Sequence, residues 1–273
     1  MSNSKKSNLK QGVNVEDAIE IAVKAIPNSN AEFIVYSAVI GDYDSPPIIE
    51  IPQSTNICFV FISDHMMDIA QPWELVLVSK EKMSALIQAK VYKLFPHILF
   101  PNAKKSIWID GSIDIIGNLV ELFDNTLNVE DMATFAHPSR SCAYDEAKAC
   151  KRLGKGAKDI IAEQMNTYKA LGFNRNSGLL HGAVLLRRHN ENVVMKALHD
   201  WWLELNNHSM RDQLSFNYVA TKNNLLVHTL SGGMNKNKYF RINEHKNSVA
   251  PGRGVRLYFF WRVYYRLGML LGW

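Results

Sequence analysis

The feature that most constrains the fold of this chain is a series of apolar runs separated by segments of helical character. The runs are continuously apolar instead of alternating with polar residues, which is typical of strands buried on both faces. Such strands are predicted over residues 33–40, 56–64, 73–79, 106–110, 132–137, 182–188 and 225–230. Helices are predicted over residues 15–26, 82–94, 115–123, 144–153, 160–171, 190–208 and 211–222. The pattern indicates an α/β fold, a single domain with a mostly parallel central sheet flanked by helices.

The composition excludes several other classes of protein. No run approaches the roughly 18 apolar residues that a membrane-spanning helix needs. The 273 residues include three cysteines without a C-x-x-C spacing, which fits one large domain in a reducing compartment. The net charge of +5 is small and dispersed, so it does not indicate a nucleic-acid-binding protein. No apolar segment follows the N-terminal lysines, so no secretory signal is predicted and we expect a cytoplasmic location.

Three acidic residues follow predicted strands: Asp42, Asp64 and Asp110. Ligands of parallel sheets bind beyond the carboxyl ends of the strands, so these side chains are expected at one binding edge. Burial of an unpaired carboxylate is costly. Asp110, which ends the apolar run SIWID, must therefore be paired with a cation, capped by donors, or placed at the mouth of a cleft.

The segment around Asp110 is similar to the metal site of GT-A-type nucleotide-sugar transferases, which place an Asp-x-Asp sequence after such a strand. There the carboxylates hold a divalent cation that neutralises the diphosphate leaving group. In this chain Ser112 stands where the second acid is expected, and Asp114 follows two residues later, with all three side chains projecting the same way if the segment is extended. His228 and His245 are candidates to complete the set. The alternative is a strand-end turn in which Asp110 caps its own backbone.

Other common catalytic signatures are missing from the sequence. No G-x-G-x-x-G follows a strand, and no G-x-S-x-G elbow occurs. The segment GKGAKD lacks the spacing and the hydroxyl residue of a P-loop, and WIDGSID lacks the second acid of a phosphatase aspartate motif. Dinucleotide, P-loop and serine-hydrolase chemistry are therefore not predicted.

A second polar group begins the predicted helix at residues 211–222. Arg211, Asp212 and Gln213 place a cation, an acid and an amide within one turn. An acid at a helix N-terminus stays ionised, available to a sugar hydroxyl or to a developing positive charge. Ser209 and Asp212 also have the spacing of a capping box, in which the acid only caps the helix. The pattern alone leaves both roles open.

Four spaced segments resemble one known family: AKVYKLFPHILFPNAKKSIWIDGSIDI, FAHPSRSCAYDEA, VLLRRHN and RDQLSF, in this order. They are similar to the TOD/MUCI-type glycosyltransferase-like family, which includes plant Golgi pectin galacturonosyltransferases beside bacterial members. The resemblance runs from Tyr36 to Lys222. It implies a GT-A-like fold, a nucleotide-sugar as co-substrate, and Mn²⁺ (or Mg²⁺) as cofactor.

The resemblance also implies which residues form the site. The matching positions are Lys93, His97, Asp110, Gly111, His137, Arg140, Glu146, Arg187, His189, Arg211, Asp212 and Gln213. The residues expected to be catalytic are Asp212, Gln213 and Arg211. The residues expected to bind the donor are Tyr43, Asp42, Asp64, Lys93, His97, Arg140, Arg187 and His189. The residues expected to hold the metal are Asp110, Ser112, Asp114 and His245.

Some of these donor-binding roles have simpler alternatives. Tyr43 is expected to stack on the nucleotide base, but the same residue type is common in ordinary loops. Lys93 and Arg140 are expected to bind diphosphate oxygens, but they could equally be solvated helix charges. The sequence does not separate these readings.

The expected function is transfer of a sugar from a nucleotide-diphosphate donor to a glycan or lipid-linked glycan acceptor. A role in bacterial surface polysaccharide synthesis (capsule or O-antigen) and retention at the anomeric carbon rest on the resemblance alone. The alternatives are a catalytically silent nucleotide- or sugar-binding module, and a scaffold in a polysaccharide assembly complex. The predicted units are a polar leader with a short helix at 1–30, a transferase domain at 31–245, and a basic aromatic tail at 246–273. The tail is expected either to contact a membrane surface peripherally or to pack as a helix.

Overall fold

The computed structural model describes residues 13–27, 31–41 and 44–243. Within these residues the strands are β1 (Phe33–Val39), β2 (Ile57–Ser63), β3 (Trp73–Leu77), β4 (Lys105–Ile109), β5 (Ile113–Ile115), β6 (Met132–Phe135), β7 (Val184–Arg187), β8 (His228–Leu230) and β9 (Phe240–Ile242). The helices are α1 (Val15–Val23), α2 (Ala85–Leu94), α3 (Pro96–Leu99), α4 (Leu119–Leu127), α5 (Ala143–Leu153), α6 (Lys158–Ala170), α7 (Asn192–Asn207) and α8 (Asp212–Lys222).

The central sheet has the strand order β3-β2-β1-β4-β7-β6-β8. Its neighbouring strands are parallel except at β7, which runs antiparallel to both β4 and β6. The predicted α/β fold with a mostly parallel sheet flanked by helices is therefore confirmed. The sequence does not predict the direction of β7, because a buried central strand is apolar whichever way it runs. As a result, the residues that precede β7 lie at the same edge as the carboxyl ends of the parallel strands.

Both faces of the sheet are covered, which explains the continuously apolar strands. Tyr36 and Ala38 of β1 face a cluster formed with α1, α2, α7 and α8. Val35 and Val39 point to the opposite face and pack with α4. A third cluster joins α5 and α6 to α8. Helix α8 therefore belongs to two layers, which fixes the position of its first residue.

The segment between β4 and α4 differs from the prediction of a helix over 115–123. Residues 113–115 form β5, which pairs antiparallel with β9. Helix α4 begins only at Leu119, after Asn118 has capped it by accepting from the N–H of Val120 at 2.9 Å. The short β9 has no pattern of its own in the sequence, because it exists only through its pairing with a distant segment.

The predicted unit boundaries lie partly outside the described residues. Helix α1 falls inside the predicted leader and ends before the expected position 26. The tail at 246–273, with its expected membrane contact, is outside the described ranges, so both stay predictions. In the described part of the chain, no helix combines the length and apolar character needed to cross a bilayer.

Candidate active site

Asp110 lies at the carboxyl end of β4, where its backbone is fixed and its side chain reaches solvent. Its N–H donates to the carbonyl of Ala183 at 2.9 Å, across the sheet from β7. Its Oδ1 accepts from Nζ of Lys93 at 3.2 Å and from Nε1 of Trp108 at 2.7 Å. The side chain is 41 % exposed. Asp110 is thus a carboxylate at a mouth, held by a cation and an indole instead of by the backbone of its own turn.

A second carboxylate meets the same lysine from another element. Asp212 is the first residue of α8, and its Oδ2 accepts from Lys93 Nζ at 2.8 Å. Its Oδ1 accepts from Nζ of Lys90, one turn before Lys93 on α2. The side chains of Lys93, Asp212 and Lys90 are only 3 %, 13 % and 14 % exposed. Two acids from separate sequence segments are therefore joined through one lysine.

The charges of this network support one another. Burial opposes ionisation of Asp212, but Lys90 and Lys93 outweigh it and hold the pKa of Asp212 well below its usual range. Burial also disfavours the charge of Lys93, but Asp110 and Asp212 raise its pKa above the ordinary value. For Lys90 burial prevails over the attraction of Asp212, so its pKa is lowered. The stable arrangement is an ionised Asp212 with both oxygens engaged by ammonium groups.

These contacts bear on one of the two roles left open for Asp212, the helix cap, and its catalytic role stays a prediction. The predicted capping box is not formed, because Ser209 Oγ accepts from the N–H of Arg211 at 3.3 Å while the Asp212 side chain turns to the lysines. Both oxygens of Asp212 face cations instead of an open cleft. Gln213 donates from Nε2 to the carbonyl of His181 at 3.0 Å. Asp212 therefore positions the lysines, and Gln213 positions the segment before β7.

His137, Arg140 and Glu146 form a neighbouring group at the start of α5. His137 Nδ1 accepts from the N–H of Arg140 at 3.1 Å, and Arg140 Nε donates to Glu146. Burial lowers the pKa of His137 to about 4, against the opposing pull of Glu146. The ring is neutral at pH 7, since its Nδ1 is used as an acceptor. The three residues marked by the resemblance therefore contact one another and close the turn that leads into α5.

His181 was missed by the sequence reasoning. It lies directly before β7, and its ring centroid is 6.1 Å from that of His137. Burial lowers the pKa of His181. The charge of Asp110 acts to raise this pKa and the charge of Lys93 acts to lower it, so the ring lies near both of these side chains. Its buried Nδ1 has no hydrogen-bond partner among the described residues. The residue could be recognised only from the antiparallel direction of β7, which brings its start to the binding edge.

Asp64 ties the ends of two strands together. Its Oδ1 accepts from the N–H of Gly41 at 2.9 Å and bonds His65 Nδ1 at 3.0 Å. Burial acts to raise the pKa of Asp64, but the Gly41 N–H and the His65 ring outweigh it and lower the pKa. Its placement at the edge agrees with the prediction, whereas Asp42 and Tyr43 lie outside the described residues.

Arg187 is not brought to the mouth. It is fully buried at the end of β7. Its guanidinium donates to the carbonyl of Lys93 at 2.6 Å and to the hydroxyl of Tyr36 at 2.5 Å. The donor-binding role predicted for Arg187 is inconsistent with this placement, because β7 is antiparallel to β4 and therefore ends at the edge opposite to Asp110, where Arg187 pairs with Ser106. Arg187 instead supports the backbone of Lys93 from behind.

His189 lies in the core and His97 is half-buried behind it. Nε2 of the buried His189 bonds the carbonyl of Phe100 at 3.0 Å. The ring of His97 packs at 5.4 Å from that of His199, measured between centroids. In both residues the buried Nδ1 has no partner among the described residues. Their donor-binding roles are corrected in the same way, since they pack behind the site.

Asp114 is turned away from Asp110. It is 2 % exposed, accepts from the N–H of Ile48 at 2.9 Å, and accepts from Arg241 of β9 at 2.8 Å. The expectation that Asp110 and Asp114 project together fails because the chain turns at Gly111 and Ser112 before β5 begins. Asp114 is a structural anchor of the β5–β9 ribbon.

The described residues do not fit the predicted metal site. His245 lies outside the described ranges. His228 on β8 is half-exposed, and its Nδ1 lies 3.8 Å from Oε1 of Glu130. Ser112 contributes its carbonyl to an N–H of Asn243 at 2.7 Å. No group of three or more His, Cys, Asp or Glu side chains in the described part of the chain is arranged to hold a cation. The Oδ1 of Asp110 accepts from an ammonium and an indole N–H.

Gly111 is required by the space around the turn that presents Asp110. A Cβ at this position would lie 2.9 Å from Cγ2 of Val39 and 3.0 Å from Cβ of Asp44. Gly111→Ala is therefore expected to lower the free energy of unfolding by about 1–3 kcal/mol, measured by urea denaturation. Ser112→Ala, one residue further on, serves as the control and should stay within about 0.5 kcal/mol. Equal urea midpoints for the two variants would show that the neighbours yield freely.

The chain matches a known family and two curated proteins. The family model described as "TOD1/MUCI70, glycosyltransferase-like domain" matches residues 2–248. The chain is 29 % identical over 219 residues to "Probable hexosyltransferase MUCI70" of Arabidopsis thaliana, covering 69 % of this chain and 37 % of that protein. It is 28 % identical over 222 residues to "Alkaline ceramidase TOD1" of the same plant, covering 68 % and 47 %. The chain thus spans less than half the length of these relatives.

Two solved structures are also similar. The apo structure of WbbM, a bifunctional glycosyltransferase, has a TM-score of 0.47 at 14 % identity, covering 75 % of this chain and 39 % of that one. The apo form of mouse xyloside xylosyltransferase 1 has a TM-score of 0.45 at 10 % identity, covering 72 % and 84 %.

Proposed function

Because this chain belongs to the TOD1/MUCI70 glycosyltransferase-like family, we propose that it transfers a hexosyl or uronosyl group from a nucleotide-diphosphate donor to a glycan acceptor. The observation that carries the proposal is the convergence of Lys93, Asp110 and Asp212. They come from α2, the end of β4 and the start of α8, and meet at the edge where parallel sheets bind ligands. Since the chain spans under half of its curated relatives, substrate and activity are proposals about this domain.

In the proposed reaction the residues of the site have different roles. Asp110, the exposed carboxylate, faces the sugar and stabilises the positive charge that develops at the anomeric carbon, or accepts from an acceptor hydroxyl. Asp212 holds Lys90 and Lys93 in place instead of acting on the sugar itself. Arg140, whose side chain is 31 % exposed, is a third cation proposed to bind the anionic donor.

The proposed acceptor is a surface polysaccharide, and the proposed location is the inner face of a membrane. Support comes from the bacterial members of the resembling family and from the interleaved arginines and aromatics of residues 253–273. Neither the acceptor nor the location follows from the geometry of the described residues.

A donor screen tests the proposed activity. UDP-, GDP-, CMP- and dTDP-sugars are added to the purified chain; the matching donor should raise the melting temperature and be hydrolysed slowly to free sugar. Asp110→Asn should still bind that donor but turn it over about 100-fold more slowly, because one preorganised charge is lost. The exposed acid of α5, Asp145, provides the control Asp145→Asn, which should leave turnover unchanged.

A catalytically silent nucleotide- or sugar-binding module is the second candidate. It is favoured by Ser112, which replaces the expected second acid, and by the neutralisation of both acids through Lys93. Donor binding without any turnover in the same screen would support it. If no donor binds and a ceramide is hydrolysed instead, both candidates are overturned.

A further inference from the structure

The lysine pair, Lys90 and Lys93, stands where the sequence predicts a divalent cation. We infer that this pair, held by Asp212, binds the diphosphate of the donor and takes over the charge-neutralising role of the predicted metal. The inference rests on the proposed function, because a nucleotide-diphosphate donor supplies the anion. It goes further in naming the groups that receive the diphosphate and in predicting that no metal is needed for binding.

The hydrogen-bonding capacity of the pair is not used up. Each ammonium group has three N–H donors. Among the described residues Lys93 uses two of them, on Asp110 and Asp212, and Lys90 uses one, on Asp212. Three donors therefore remain on two neighbouring ammonium groups. They lie beside the exposed carboxylate of Asp110, which marks the direction of the mouth.

The local charge also favours an anion. Two ammonium groups share one buried carboxylate, so Lys90, Lys93 and Asp212 together keep one positive charge, while Asp110 is partly exposed and screened by solvent.

A cation at Asp110 would meet unfavourable neighbours. The Oδ1 that it would share already accepts from the Lys93 ammonium at 3.2 Å and the Trp108 indole at 2.7 Å. A divalent ion would therefore lie beside a buried positive charge, and like charges at this distance repel. The arrangement presents N–H donors to a ligand, which suits phosphate oxygens.

Binding of UDP and GDP to the full chain, measured by isothermal titration calorimetry with Mn²⁺ or with EDTA, tests the inference. CMP, which has no diphosphate, is the control ligand. We expect one of the two diphosphates to bind with the same affinity, within about threefold, in both buffers. Lys90→Gln should weaken that binding about tenfold or more, because a charge-assisted hydrogen bond is lost. Asp110→Asn should bind as tightly as the parent or more tightly, since it removes a negative charge beside the anion.

The matched control is Lys196→Gln. Lys196 also pairs with an acid, Asp200, but near the opposite end of α8, about 15 Å from Asp212 by the length of the helix. It should leave nucleotide affinity unchanged. Lys93 itself is not replaced, because its removal would leave Asp110 and Asp212 without their shared cation; circular dichroism confirms that each variant is folded.

Three outcomes would overturn the inference in different ways. Binding that requires Mn²⁺ and is abolished by Asp110→Asn means that Asp110 anchors a metal after all. Equal affinity of Lys90→Gln and the parent means that the diphosphate lies elsewhere. If neither nucleotide binds in either buffer and the donor screen finds no ligand either, the proposed function itself fails, which is distinct from the first two results.

Discussion

Replacing Asp212 with alanine is expected to lower the free energy of unfolding by about 3–5 kcal/mol, because two buried ammonium groups lose the carboxylate that they share. Lys93 keeps Asp110 as a partner, but Lys90 has no other acidic hydrogen-bond partner in the described residues. Urea denaturation at pH 7 measures the effect. Burial already lowers the pKa of Lys90, so the variant can relieve part of the cost by losing that proton. The destabilisation should therefore be smaller at pH 9 than at pH 6.

Asp200→Ala is the matched control for this prediction. Asp200 lies on α7 near the far end of α8 and pairs with Lys196 and Lys222 at 3.5 and 3.4 Å. Those lysines are 67 % and 49 % exposed, so they stay hydrated when the acid is removed. The expected loss is about 1 kcal/mol or less. Equal losses for Asp200→Ala and Asp212→Ala would contradict the view that the buried network differs from an ordinary surface pair.

The sheet was predictable from sequence to the extent that its strands are locally encoded. Residues 57–62 are all apolar because β2 is buried on both faces, and such a run is not typical of an exposed loop. Direction and pairing are different, because they depend on the path of the chain between strands. The antiparallel β7 and the β5–β9 ribbon are therefore visible only in the structure.

The acids of the site were found from sequence for a similar reason, and their partners were not. Asp110 had to be paired, capped or presented because a buried strand ends there, and the structure shows that it is both paired and presented. Lys90 forms its ion pair with an acid 122 residues away, and no local pattern encodes such a contact. One weak signal was available: Lys90 and Lys93 lie one turn apart on a predicted helix, so they face the same way.

The same contacts explain why a metal was expected and why we propose lysines in its place. A single acid after a strand resembles half of a metal site when its surroundings are unknown. The surroundings here are Trp108 and Lys93, which occupy the carboxylate with N–H groups, and Arg187, which fixes the backbone of Lys93 from the core. Arg187 thus contributes to the site without touching a ligand, and a substitution there would act by moving Lys93.

Stability is expected to fall steeply between pH 6.5 and pH 4 because three histidines, one buried and two half-buried, are neutral in the folded protein. Burial lowers the pKa of His97, His137 and His189 to about 4 in each case. An unfolded histidine has a pKa of about 6.5, so the unfolded chain binds more protons throughout this window and is favoured as the pH falls. Each group contributes up to about 3 kcal/mol once the pH is below 4. Against a typical stability of about 5–15 kcal/mol, this loss unfolds the protein near the lower end of the window.

His189 allows the sharpest form of this experiment, because its surroundings are closed. Its Nε2 donates to the carbonyl of Phe100, and its buried Nδ1 has no hydrogen-bond partner among the described residues. His189→Gln keeps an amide donor for that carbonyl but cannot titrate, so urea midpoints measured from pH 7.5 to 4.5 should fall less steeply than in the parent. His228→Gln, at a half-exposed position on β8, should keep the slope of the parent. Two results would contradict this prediction: a urea midpoint of the parent that does not change with pH across the window, or a pH dependence that His189→Gln leaves unaltered. Either result would mean that these histidines take up protons in the folded state and that burial does not lower their pKa values.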